Sequence, residues 1–349
     1  MTTEPQRLPA PAPGELAPAG TEFTDDVLAK LAELEERSAQ HEIDLRPRNT
    51  VDGYAADWKQ WTEFCALLDL PVTAITPGSL TAFVEWLWMQ PGWKKGTFTA
   101  PSTIDRRLSG VVVTGRTDYK LALDRTVAAR ARRVLKAKVK QLQKTDEVRG
   151  RGPAPALLVA RLRAALAAAP DTRLGIRDRA IVLLQFAITG REHEVAHLRL
   201  RDITETEHGL EIDVRVSKIS PRKVKVPFGS RPSTCPVRAW RAWTEAAGLH
   251  DPDGLAFRAL HPRWHTVMDA GLVPRSHRRR HHPAHLPGRP SRAAHRALPR
   301  RGAAEESRRA GNDRKVIAKQ GGWVPNSGVM EGYFEDADGW EENAMIGVL

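Results

Sequence analysis

The sequence predicts a mainly α chain (α+β) of two domains: a helical first domain, and a mixed second domain around a small antiparallel sheet. Three observations carry this. Apolar residues recur at helical spacing in the first 144 residues, as in Val51, Tyr54, Trp58, Trp61 and Phe64. Two stretches, 209–217 and 223–228, alternate apolar and polar residues on either side of Ser220-Pro221, which is the pattern of a hairpin. Between the two regions, residues 145–154 mix charge with Gly and Pro and read as a linker. The expected division is 1–46 (a tail and one amphipathic helix), 47–144 (helical domain), 145–154 (linker) and 155–349 (second domain).

Residues 1–22 are rich in Pro and Ala and are expected to be disordered. Thr24-Asp25-Asp26 can cap a helix to about Glu42, with Val27, Leu28, Leu31 and Leu34 on one face. Asn49-Thr50 is expected to cap the next helix, which runs through Leu67. Its aromatic stripe suits a core better than a base-stacking platform. Thr76-Pro77 starts another, with Leu80, Phe83, Val84 and Leu87 inward. Ser102-Thr103-Ile104 begins a third, and 121–143 reads as a long, basic fourth.

In the second domain, Arg177–Thr189 reads as a buried helix and Glu192–Leu198 as a short one, ahead of the hairpin. Pro236–Ala247 is helical. Asp313–Gln320 is a helix stopped by Gly321-Gly322. After Asp338 a last helix carries Trp340, Ala344, Met345 and Val348; docking on a neighbouring copy and packing in cis fit it equally.

The chain has 349 residues, 41% of them hydrophobic, and a formal net charge of +12. That length suits two domains, and the charge favours an anionic partner, nucleic acid first, over a basic protein that binds no polyanion. The fourth helix concentrates the charge in Arg125, Arg130, Arg132, Arg133, Lys136, Lys138 and Lys140, with no acid between Asp124 and Asp146. Such a run is either a solvated face or a contact with DNA phosphates, and the sequence leaves both open. Arg130, Arg132, Arg133, Lys136 and Lys140 are the DNA-contact candidates. Cys65 and Cys235 form no framework or metal motif, which suits a reducing cytosol. No apolar run approaches the ~20 residues of a membrane span, and the start lacks the apolar region of a signal peptide. The expected location is cytoplasmic, with the nucleoid.

The chemistry gathers near the C-terminus. Tyr333 ends Gly-Gly-Trp-Val-Pro-Asn-Ser-Gly-Val-Met-Glu-Gly-Tyr and follows Trp323 by 10 residues; it is the one tyrosine after Tyr119. Upstream stand Arg191 in Thr-Gly-Arg-Glu-His-Glu-Val, Lys218 in Val-Ser-Lys-Ile-Ser, and Arg300, which is 23 residues before Trp323. Each alone is an ordinary packing or surface residue. Together they suit attack by a phenol on a phosphodiester. A tyrosyl phosphate ester conserves the energy of the bond it replaces. Two arginines can hold the non-bridging oxygens bidentately, and a lysine can protonate the departing 5′ oxygen. No metal or other cofactor is called for.

This ordered set resembles the tyrosine recombinase (phage integrase) family, over residues 47–349. The resemblance implies a DNA breaking-and-rejoining fold, with a core-binding domain and a catalytic domain that clamp DNA from opposite sides. It makes Tyr333 the nucleophile, Arg191 and Arg300 the phosphate-binding arginines, and Glu194 the acidic neighbour of the first. Lys218 becomes the hairpin lysine, ahead of Lys223 and Lys225. Trp323 stands where the family has His or Trp. It further implies integration or excision of a mobile element by a homotetramer on double-stranded DNA, with accessory DNA-bending or directionality factors. The rival functions are a catalytically impaired DNA-binding remnant and a topoisomerase-like strand nicker and closer.

One departure stands out. The family has His-x-x-Arg where this chain has Ala297-Leu298-Pro299-Arg300, and Pro299 is expected to break the helix that presents Arg300. Residues 274–300 hold eight Arg, five His and five Pro, with no acid, and supply +8 of the net +12. Such a tract is expected to form no helices. Read as GCA-CTC-CCT and shifted by one base, Ala-Leu-Pro becomes His-Ser-Leu, so the tract looks like the product of two compensating frameshifts, one near 275 and one just before Arg300. On that basis the chain is expected to be a poor catalyst, with Arg300 loosely held. A metal site at His277, His281, His282 and His285 is the weaker reading, because Pro283 interrupts the helical spacing and no carboxylate or cysteine joins the cluster.

Overall fold

The computed structural model describes residues 23–92, 95–145, 147–150, 155–261, 263–272, 298–324 and 327–334. The fold is mainly α with small antiparallel sheets, as the sequence predicts. The chain divides into two compact units, Met1–Arg151 and Gly152–Leu349. Among the described residues, no helix is long and apolar enough to cross a membrane.

The first unit has five helices: α1 (Asp25–Asp44), α2 (Arg48–Leu67), α3 (Pro77–Met89), α4 (Pro101–Thr117) and α5 (Ala129–Leu142). Its core is the predicted stripe. Trp61, Phe64, Leu80, Phe83, Val84 and Leu87 are buried together with Ile104, Leu108 and Val111 of α4. Trp61 and Phe83 meet edge to face, 5.2 Å between centroids, and the Trp61 indole N–H donates to the Val72 carbonyl at 2.8 Å. Thr76 caps α3 by accepting from Ser79 N–H, and the Ser79 hydroxyl accepts in return from Thr76 N–H. The cap expected at Asn49-Thr50 is instead Pro47, whose backbone is extended and whose side chain makes no cap bond.

The fourth predicted helix starts eight residues late. Asp124 accepts from both the N–H and the hydroxyl of Thr126, making a side-chain turn that competes with helix until Ala129. The apolar face of α1 stays outside this core: Val27, Leu28, Leu31 and Leu34 are all exposed.

The second unit begins with α6 (Val159–Ala167) and α7 (Arg173–Ala187), then the short α8 (Glu192–Ala196). A three-stranded antiparallel meander follows: β1 (Ile203–Thr206), β2 (Gly209–Val214) and β3 (Arg222–Pro227), in the order β1-β2-β3. Leu210 pairs with Val226, and Val214 with Arg222. The sheet and α7 pack on α9 (Pro236–Ala247) around Leu184, Ile212, Val224, Trp240, Trp243 and Phe257. A second hairpin joins β4 (Arg258–Leu260) and β5 (Val267–Gly271). The chain resumes at α10 (Leu298–Arg309), α11 (Arg314–Gly321) and α12 (Gly328–Glu331).

Three expectations change. The first strand of the hairpin stops at Val214 and not at Ser217, so the connection that carries Lys218 is a seven-residue loop, 215–221. α6, β1 and the β4–β5 pair went unpredicted, being short elements of four, three and five strand residues or a nine-residue helix with weak periodicity. Pro299 does not break the helix of Arg300. It is the second residue of α10, in the first turn, where an N–H has no helical acceptor and its loss costs nothing. The tract from 273 to 297, with Ala297, the histidine cluster and the frameshift reading, lies outside the described residues; so do the N-terminal tail 1–22 and the helix expected after Asp338.

Candidate active site

The site is assembled in the second unit from four short pieces of chain, and the first is the end of α7. Ile188 closes that helix, and Thr189 follows with φ of +49°, a left-handed conformation that costs a β-branched residue about 1–2 kcal/mol. The turn is closed by Gly190 N–H on the Gln185 carbonyl at 2.8 Å, while the Gln185 amide donates back to the Gly190 carbonyl at 3.3 Å. This reversal leaves the buried Thr189 carbonyl free of the helix to accept from Arg300 and sets Arg191 at the start of α8.

Glu194 is the electrostatic centre. Its carboxylate is fully buried and takes four donors. Oε1 accepts from Arg191 Nη1 at 2.7 Å and from the Ser217 hydroxyl at 3.0 Å. Oε2 accepts from Arg191 backbone N–H at 3.0 Å and from Arg222 Nη2 at 2.9 Å. Burial alone would raise its pKa. The hydrogen bond from Arg222, the backbone bond from Arg191, the Arg222 charge and the Arg191 side-chain bond outweigh it and hold the group at about 2. Next to it, His193 is pushed below its ordinary value by burial, with Glu194 opposing and Arg191, His197 and Lys218 adding positive charge.

Arg300 enters from α10. It is 4% exposed, and its Nη1 donates to the carbonyls of Thr189 at 2.5 Å and Gly321 at 2.8 Å. Its guanidinium lies 3.8 Å from the centre of the Trp323 ring, and Trp323 meets Tyr333 edge to face at 6.0 Å. Burial lowers the Arg300 pKa to about 10, helped by Arg191 and Arg222 and opposed by Glu194 and Tyr333. It stays a cation at neutral pH. Its Nη2 is buried with no partner among the described residues. An unpaired buried guanidinium nitrogen is costly, and an anion bound here would satisfy it.

Trp323 follows the C-cap of α11, where Gly322 adopts φ of +63°. A Cβ on Gly321 would lie 2.0 Å from the Trp323 ring, so only glycine lets the indole lie flat against the chain. Gly321→Ala is expected to lower the unfolding free energy by about 1–3 kcal/mol, the usual penalty of overpacking. Gly328→Ala, which meets nothing within 4 Å, is the control and should stay within about 0.5 kcal/mol in the same denaturant titration.

Of the residues expected from sequence, Arg191, Glu194, Arg300, Trp323 and Tyr333 are thus brought together. Lys218 is exposed in the 215–221 loop, close enough to His193 to depress its pKa. Lys223 and Lys225 point to the opposite, solvent face of β3, and Lys225 pairs with Glu211 at 3.2 Å. The sequence reading missed Arg222. Its signal was present: in Arg222-Lys223-Val224-Lys225-Val226, strand alternation places Arg222 on the inward face with the two valines.

In the first unit, Arg130, Arg133, Lys136 and Lys140 are exposed on α5. Arg132 is also exposed, but it is held by Asp105 at 2.8 Å and the Ser109 hydroxyl at 2.9 Å, so it is less available to a phosphate than the other four. Among the described residues, no group of His, Cys, Asp and Glu is placed to hold a metal ion.

No family model matches the chain. It is 24% identical over 216 residues to an integrase/recombinase xerD homolog of Selenomonas ruminantium, which covers 58% of this chain. The chain spans 57% of the length of that curated relative. Among solved structures it is similar to the XerA recombinase, with 15% identity, a TM-score of 0.37, and coverage of 91% of this chain and 98% of that one. It is also similar to the Tn1549 transposon integrase in complex with circular intermediate DNA, with 14% identity, a TM-score of 0.48, and coverage of 89% and 98%. With TM-scores below 0.5 those structures carry no argument, and the likeness rests on the sequence relative and on the ordered site residues. On that ground the chain is similar to the tyrosine recombinases.

Proposed function

We propose that the protein is a site-specific DNA recombinase or integrase that cuts and rejoins DNA through a 3′-phosphotyrosyl intermediate. The observation that carries this is the stack of Arg300, Trp323 and Tyr333 beside the Arg191–Glu194 pair. It sets a phenol beside a cluster of arginines in which a buried guanidinium nitrogen still lacks an acceptor.

In this mechanism the Tyr333 oxygen attacks the scissile phosphorus and loses its proton to solvent. Arg191 and Arg300 hold the two non-bridging oxygens, where charge builds in the transition state. The Trp323 indole N–H donates to the same phosphate. The bond from phosphorus to the 5′ oxygen breaks, and that oxygen takes a proton from the Lys218 ammonium. Attack by the free 5′ hydroxyl of a second strand reverses these steps and completes the transfer. The exposed cations of α5 supply contacts with the phosphate backbone of double-stranded DNA. The acting assembly is a homotetramer on DNA, because four strands are exchanged in pairs.

The test uses nicked duplexes with randomised sequence around the nick, from which the cut fragment diffuses away and traps the intermediate. The wild-type protein should form a protease-sensitive DNA adduct, and Tyr333→Phe should form none. An adduct that persists in Tyr333→Phe would show that the nucleophile lies elsewhere. DNA binding without any adduct would favour the impaired remnant. Religation of one duplex with no exchange between two would favour the topoisomerase-like activity.

A further inference from the structure

We infer that Ser217 and Arg222 form a two-point clamp on the Glu194 carboxylate that positions the Lys218 ammonium, so that both are positioning residues for the protonation of the leaving oxygen. The inference rests on the recombinase mechanism for the role of Lys218. The clamp itself rests on geometry alone.

Lys218 sits in the loop between β2 and β3, and its side chain is exposed. Exposed lysines on loops sample many rotamers, and a general acid gains most from being held. The loop is fixed on both sides of Lys218, and at the same place. Immediately before it, the Ser217 hydroxyl donates to Glu194 Oε1 at 3.0 Å. Four residues after it, Arg222 Nη2 donates to Glu194 Oε2 at 2.9 Å. The two oxygens of one buried carboxylate therefore pin the two ends of the six-residue segment 217–222. Oε1 also holds Arg191, so the loop is indexed to the arginine expected to bind the scissile phosphate.

Arg222 extends the index to the other half of the site. Its Nε donates to the Gln320 carbonyl at 3.0 Å, one residue before the Gly321 carbonyl that receives Arg300. Its Nη2 also reaches the Ile188 carbonyl at 3.4 Å, beside the Thr189 carbonyl that Arg300 uses. A Cβ at Gly322 would stand 3.1 Å from the Arg222 side chain, so glycine there leaves the guanidinium its path. A surface strand needs no arginine threaded in this way. The path makes sense as a tie between the lysine loop and the turn that carries Trp323.

The test compares two leaving groups, on the sequence selected with the randomised nicked duplexes. One substrate carries the normal 5′ oxygen at the scissile phosphate and the other a bridging 5′ sulfur, whose thiolate departs without a proton. Lys218→Ala should lose about 10²-fold or more on oxygen, the low end of general-acid catalysis, and little on sulfur. Ser217→Ala and Arg222→Lys should show the same pattern in weaker form: about tenfold slower on oxygen and near wild type on sulfur. Ser217→Ala removes one hydroxyl from a half-buried loop residue, and so keeps the test alive if Arg222→Lys folds poorly. Arg191→Ala should be slow on both substrates. Equal losses on oxygen and sulfur, or no loss at all, would overturn the positioning role.

A second readout needs no activity. Trypsin should cut after Lys218 several-fold faster in Ser217→Ala and Arg222→Lys than in the wild type, and an unchanged rate would overturn the clamp. Wild-type protein that forms no adduct on either substrate would overturn the recombinase mechanism and the role of Lys218 in it, while the trypsin rates still decide whether the loop is clamped.

Discussion

Apart from removal of the nucleophile itself, Arg300→Ala should be the most damaging single change to the proposed cleavage. Removing one preorganised donor to a transition-state oxyanion costs about 10²–10³ in rate. Arg300 should exceed that range, because it does two things at once. Its Nη1 ties the Thr189 turn to the Gly321 carbonyl, and its plane supports the Trp323 indole, which in turn meets Tyr333. Truncation leaves two buried carbonyls without donors and the indole without its stacking partner, so a loss of stability of about 1–3 kcal/mol should accompany the loss of rate. DNA affinity should change little. One phosphate contact among many alters the salt dependence by about one unit of slope. Single-turnover cleavage and a salt titration of binding, done on the same preparation, separate the two effects. An affinity loss as large as the rate loss would make Arg300 a docking residue.

The second large effect concerns Glu194. Its side chain is fully buried, with Arg191 and Arg222 bonded to it and Arg300 within electrostatic reach. Glu194→Gln keeps the shape but leaves these guanidinium groups without a counter-charge. Breaking a buried pair in this way typically costs about 3–5 kcal/mol.

The same pair sets a pH dependence. The folded pKa of Glu194 is about 2, below the ordinary 4.5. A depressed carboxylate pKa stabilises the folded state above the unfolded pKa, and that stabilisation is lost as pH falls through the folded one. A shift of this size is worth about 3 kcal/mol. The stability gap between wild type and Glu194→Gln should therefore be full above about pH 5 and should close between about pH 4.5 and 2. A gap that stays constant across that window would mean that Glu194 is not the titrating group.

Most of the first unit was legible in the sequence because its helices bury regular stripes. Leu80, Phe83, Val84 and Leu87 follow the helical period without interruption, and Thr76-Pro77 marks the start of α3. Where the period failed, local polar chemistry had won: the Asp124–Thr126 turn outcompeted helix for the segment before Ala129. Arg191, Arg300, Trp323 and Tyr333 were singled out by their order and spacing together with the family resemblance, and the structure draws them into one cluster across 143 positions of sequence.

Two features of the site were read wrongly or not at all. Pro299 reads as a helix breaker because the sequence does not mark where the helix begins; in the first turn it is harmless. Loose holding of Arg300 fails for the same reason, since the side chain is buried and doubly bonded. Arg222 was overlooked because a basic residue in Arg-Lys-Val-Lys-Val reads as surface charge, although strand parity placed it inward. Its partner Glu194 is 28 residues away, a distance that no local pattern reports.

The proposed covalent chemistry comes down to the fate of one phenol. Wild-type protein trapped on the nicked duplexes can be digested with trypsin and nuclease, and the nucleotide-bearing peptide sequenced by mass spectrometry. The expected peptide begins after Lys319, and the mass of the nucleotide lies on Tyr333. Nucleotide found on Tyr54, Tyr119 or a serine, or no modified peptide from protein that binds the DNA, would contradict catalysis by the Arg300–Trp323–Tyr333 stack.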